Sequence, residues 1–82
     1  MKSSIRAIVD INMKANEFSS SIVLVVGPDH YIDAKSLLGL SMTLYRNQTY
    51  LLYVYGPDQE EAKAAMKEVF AQHQLDLQLK EN

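Results

Sequence analysis

Apolar positions in this chain change period several times, and each change marks an element. From Ser4 to Phe18, Ile8, Ile11, Ala15 and Phe18 recur at helical spacing, and Ser3 or Ser4 supplies an N-cap. Ile22 to Val26 is a continuous β-branched run that stops at Gly27-Pro28-Asp29, as a strand entering a tight turn does. His30 to Asp33 follows as a short partner strand. Ser36 to Tyr45 returns to helical spacing and ends at Arg46-Asn47-Gln48. Tyr50 to Tyr55 is a second β-prone run, closed by Gly56-Pro57. Asp58, with Glu61 three residues on, opens a helix to Gln72 in the manner of a capping box, with Ala62, Met66 and Val69 on one face.

The last segment alternates with period two: Leu75-Asp76-Leu77-Gln78-Leu79-Lys80. That is the pattern of a half-buried strand. A continuing helix would stack Leu75 and Leu79 but turn Leu77 away, so the pattern favours the strand. Its burial of three leucines, at about 1.5–3 kcal/mol each, rivals the stability of a whole small domain.

Eighty-two residues make one domain, spanning 1–82, and a chain this short has little core to spare. A hydrophobic share of 48% excludes a disordered chain. The net charge of −2, with Lys and Arg scattered, argues against nucleic acid as partner. There is no cysteine, so disulfides and thiolate metal sites are out, and a cytoplasmic address is the default. Asp10 and Asn12 interrupt the first apolar stretch, which excludes a membrane span there. No carboxylate pair, phosphate-cradling loop or nucleophile–base pair stands at workable spacing, so the chain is read as a non-enzyme without a cofactor or metal. His30 and His73 read as solvated surface, and Asp10, Glu17, Asp58, Glu60 and Glu61 as solvated or capping charges.

The order helix, strand, strand, short helix, strand, helix, together with Ala34-Lys35-Ser36-Leu37-Leu38-Gly39-Leu40 and with Arg6 ahead of Ala15-Asn16-Glu17-Phe18, resembles HPr. HPr is the histidine-containing phosphocarrier of the bacterial sugar phosphotransferase system. The similarity runs from about Arg6 to Gln72. It implies an α+β open-faced sandwich, three helices on one face of a three- to four-stranded sheet. In that family a strand precedes the first helix, and the phosphoacceptor histidine stands two residues before the arginine. Here Ser4 holds that place, and Met1 lies only five residues before Arg6. A serine phosphate ester lacks the transfer potential of a phosphoramidate, so the chain reads as unable to relay phosphate. The vacant sheet edge beside Tyr50–Tyr55 would be an aggregation hazard, and the C-terminal strand is expected to replace the missing one. In cis this makes a right-handed βαβ unit when its helix lies with the others. In trans, the same pairing makes a homodimer.

The resemblance also implies roles for residues. Ser36 matches the serine that HPr kinase phosphorylates in low-GC Gram-positive bacteria. A phosphate there would meet free N–H groups at a helix start, yet an ordinary N-cap equally explains a serine. Arg6, Leu37, Leu38, Ser41, Met42 and Tyr45 fall on the surface that docks protein partners in the family. Burial of those apolar residues against the first helix or a twin chain explains them as well. Ser41 stands where the family commonly has an apolar contact residue. Three functions remain open on these grounds: a regulatory HPr-like domain acting with a kinase or regulator, a structural homodimerisation module, and a small-molecule sensor.

Overall fold

The computed structural model describes residues 5–26, 28, 30–44 and 49–80. Seven elements follow in order: α1 (Ile5–Ala15), β1 (Ser21–Val26), β2 (His30–Asp33), α2 (Leu37–Ser41), β3 (Thr49–Tyr55), α3 (Gln59–Gln72) and β4 (Asp76–Leu79). The strands form one sheet in the order β2-β1-β3-β4. β1 runs antiparallel to both its neighbours, while β4 runs parallel to β3. Three helices cover one face and leave the other bare, the α+β open-faced architecture that the family resemblance implies.

The core lies between that sheet and the helices. Ile22, Leu24, Tyr50, Leu52 and Val54 point into it from the strands, and Ile11, Ala15, Leu40, Met66 and Phe70 meet them. All are essentially inaccessible to water. Tyr50 and Phe70 pack ring to ring at 5.9 Å and 58°, which joins the start of β3 to the end of α3. Val69 and Ala62 complete the predicted buried face of α3.

The tail forms its strand in cis. Tyr50 pairs with Leu77 and Leu52 with Leu79, so the edge of β3 is covered over four residue pairs. Leu75, Leu77 and Leu79 pack against the core but stay half-buried. Their contribution is accordingly about half the full-burial expectation, roughly 2–4 kcal/mol for the three. The route from α3 into β4 is a Schellman turn. Leu75 N–H donates to Phe70 O at 3.0 Å and Gln74 N–H to Ala71 O at 2.9 Å, with Gln74 at φ 59°. No glycine marks this turn; Gln74 holds the position a glycine usually takes.

Three expectations need correction. α2 is a five-residue helix rather than a ten-residue one, because Met42 already closes it by donating to Gly39 and Leu40 carbonyls. Asp58 precedes α3 but makes no side-chain cap bond. Its carboxylate instead reaches back to the start of β1, accepting from Ser19 N–H and Ser20 N–H at 2.9 Å each and from Ser20 Oγ at 2.6 Å. A charged acceptor offered three converging donors across the fold is worth more there than at one end of its own helix. Gly56 makes the approach feasible. Its φ is +146°, and a Cβ there would lie 2.6 Å from Ser20 Cα. Finally, His73 is not solvated: its Nε2 lies 2.9 Å from Asp10 Oδ2, tying the end of α3 to α1. Asp10 is therefore a partner rather than a free surface charge.

Candidate functional site

The site begins at the link between β2 and α2, which α1 holds from behind. Asn12 Nδ2 donates to Ala34 O at 3.2 Å, and Asn16 Nδ2 to Lys35 O at 3.4 Å. Lys35 Nζ donates to Phe18 O at 2.7 Å, and Asp33 Oδ1 accepts from Lys35 N–H at 2.9 Å. These bonds fix the three residues that lead into Ser36 before the helix starts. Ser36 then takes an extended backbone, φ −98° and ψ 112°, and its Oγ accepts from Gly39 N–H at 3.2 Å. It is an N-cap, half-buried, with its hydroxyl at the rim of the helix. Gly39 fits there because a Cβ would meet Ile32 Cγ2 at 2.9 Å.

Beyond the cap, α2 divides by face. Leu40 and Leu44 are fully buried, while Leu37, Leu38 and Met42 are 50%, 73% and 67% exposed. A helix this short has only one side against the core, and its outward side here is aliphatic. Ser41 is exposed too, but its Oγ is turned back to Leu38 O at 2.7 Å. α1 packs beside α2 and begins with Ile5, 77% exposed, and Arg6, also exposed. Thus Arg6, Leu37, Leu38, Ser41 and Met42 are accessible on two adjacent helices. Tyr45 and Ser4 lie outside the described residues, as does the N-cap expected at Ser3 or Ser4. Ile5 was missed by the sequence reading, although an isoleucine off the buried stripe of α1 was the available signal.

The remaining titratable groups serve the fold. The Ser20 hydroxyl, followed by the Ser19 N–H, holds the Asp58 carboxyl below its ordinary range. Lys14 and Glu17 pair at 3.3 Å and Lys63 and Glu60 at 3.7 Å, both on the surface. Among the described residues, no three His, Cys, Asp or Glu side chains converge as a metal site would require. None of the described helices is long and apolar enough to cross a membrane.

Comparison with known proteins gives one family. The family model for the phosphotransferase-system HPr component phosphorylation site matches residues 4–72. No curated protein matches the chain. Among solved structures, the HPr dimer of Thermoanaerobacter tengcongensis is 29% identical, with a TM-score of 0.71 over 82% of this chain and 77% of that one. Crh of Bacillus subtilis, a catabolite-repression protein seen as a domain-swapped dimer, is 23% identical. It aligns at a TM-score of 0.74 over 93% of this chain and 90% of its own. The histidine-containing phosphocarrier of Mycoplasma is 20% identical, at 0.74 over 88% and 84%. At those last two identities the likeness is one of fold.

Proposed function

Since the chain belongs to the HPr family of phosphotransferase-system proteins, we propose that it acts as a regulatory, protein-binding member that carries no phosphohistidine. Proteins of this family are carriers and regulators rather than catalysts. The reading is supported chiefly by Ser36, a half-buried cap whose hydroxyl lies beside the exposed Leu37, Leu38 and Met42. A phosphoryl group on Ser36 Oγ could keep one oxygen near Gly39 N–H. It would also bring up to two negative charges against an apolar surface, which changes what that surface accepts. The partner is accordingly a kinase or regulator of the phosphotransferase type, met in the cytoplasm through Arg6, Leu37, Leu38, Ser41, Met42 and Tyr45. Loss of the carrier role follows from Ser4, which stands two residues before Arg6 where the family places its histidine.

The carrier half is tested with phosphoenolpyruvate and the first enzyme of the system. No label is expected on this chain, and acid-labile phosphate on His30 or His73 would overturn it. The regulatory half is tested with HPr kinase and ATP, which should add one acid-stable phosphate, absent from Ser36→Ala. If wild type and Ser36→Ala both stay unlabelled, Ser36 is only a cap. Its loss then costs about 1 kcal/mol of stability and nothing else.

A further inference from the structure

The face of the sheet away from the helices is apolar where solvent would favour polar side chains. Tyr31 and Tyr55 are 58% and 45% exposed, and Val23, Val25, Leu51 and Tyr53 stand half-exposed among them. The registers arrange these side chains in rows across the strands. One row reads Asp33, Val23, Tyr53, with Lys80 continuing it on the far side, where its N–H bonds Leu52 O. A second row reads Tyr31, Val25, Leu51, Gln78. A third begins with Ser21 opposite Tyr55. The Tyr53 and Tyr55 rings lie 5.0 Å apart. Two hollows, of about 420 and 370 Å³, open on this face and share Val23, Tyr31 and Tyr55.

We propose that this bare face is the interface of a homodimer, with a two-fold axis parallel to the strands and midway between β1 and β3. Such an axis lays β1 over β3 of the second copy and β2 over its β4, within each row. Every small side chain of β1 then meets a large one of β3: Ser21 faces Tyr55, Val23 faces Tyr53, and Val25 faces Leu51. The same operation sets Asp33 against Lys80 of the second copy, twice per dimer. Among the described residues, neither Asp33 nor Lys80 has an ion-pair partner within its own chain. Aligned sheets pack about 10 Å apart, a gap that tyrosine rings fill and that lysine and aspartate side chains together bridge. One symmetry operation satisfies size and charge together, so the occupant is a second copy of this chain rather than an unrelated ligand. The sheet is about 14 Å across its outer strands, and the footprint is roughly 300 Å² per copy, below the usual ~800 Å². The association is therefore weak and concentration-dependent.

Sedimentation equilibrium of the full chain, from micromolar to millimolar concentration, tests this with Asp33→Lys and Lys80→Glu. In either variant alone, both cross-copy contacts join like charges, and the dimer should weaken about tenfold. Mixed in equal amounts, the two variants restore both contacts as opposite pairs, and association should return to the wild-type level. Thermal unfolding of each variant confirms that it is folded. A wild-type chain that stays monomeric throughout overturns the proposal and leaves the face to some other occupant. A dimer insensitive to both variants, or a mixture no tighter than its components, overturns it equally.

Discussion

Two surfaces of this molecule expose apolar side chains, and they are supported in different ways. Leu37, Leu38 and Met42 project from a five-residue helix and its C-cap, and the start of that helix depends on the Ser36 cap and on separate bonds from Asn12, Asn16 and Lys35. Tyr31, Tyr53 and Tyr55 project from a continuous ladder of four strands. One added charge at Ser36 reaches the first surface directly. No single local event re-aims the second, because each strand is held by its neighbours. The helical surface therefore suits a switched partner, and the sheet face a partner met in one unchanging geometry.

The largest test of this contrast removes the support of the sheet. Truncation after Gln74 bares the edge of β3 and deletes three half-buried leucines, a loss of about 2–4 kcal/mol from a domain whose total is on the order of 5 kcal/mol or somewhat above. The truncated chain should aggregate or fail to fold, and Leu77→Asp should do nearly as much. A truncated protein that is soluble, monomeric and equally stable would show that β4 does not support the bare face.

A smaller effect is expected from the latch between α3 and β1. Asp58 is held below its ordinary pKa by the Ser20 hydroxyl and the Ser19 N–H. A depressed carboxylate stabilises the fold above its unfolded value, about 3.9, and that stabilisation is lost as pH falls through the folded value. Wild type should thus lose stability on acidification below about pH 4. Asp58→Asn should begin less stable at neutral pH and show a flatter profile. Parallel melting curves across the acid range would decide it; identical slopes would mean that the latch is not the acid-sensitive contact. The smallest expected change sharpens the β4 support: Gln74→Gly relieves a positive φ and should raise stability by about 1 kcal/mol in denaturant titration. Unchanged or lowered stability would show that Gln74 bears no strain.

Most of the fold was legible because it rests on period. The alternation after Gln74 indicated the fourth strand, and the β-branched run Ile22–Val26 and the β-prone run Tyr50–Tyr55 located β1 and β3 to within a residue or so. Legibility ended where long-range partners overrode local signals. Asp58 and Glu61 have capping-box spacing, but Ser19 and Ser20 lie far away in sequence and offer three donors at once. His73 and Asp10 are 63 residues apart, so nothing in either neighbourhood joins them. The length of α2 was overestimated because apolar residues on both sides of Gly39 mimic a longer helix, whereas only Leu40 and Leu44 are core. The Ser36 cap was readable, since its acceptor role is local. The tyrosine face was present in the sequence as Tyr53 and Tyr55 two apart on one strand. Its meaning needed the register that sets Val23 and Ser21 opposite them.

The central claim is that a family member without the carrier histidine is controlled through the Ser36 cap. Its most direct test is mass spectrometry of the intact chain and its peptides after incubation with HPr kinase and ATP. The account predicts a single phosphate, stable to acid, confined to the peptide containing Ser36 and absent from Ser36→Ala. An unmodified chain, or a phosphate elsewhere that persists in Ser36→Ala, would contradict it.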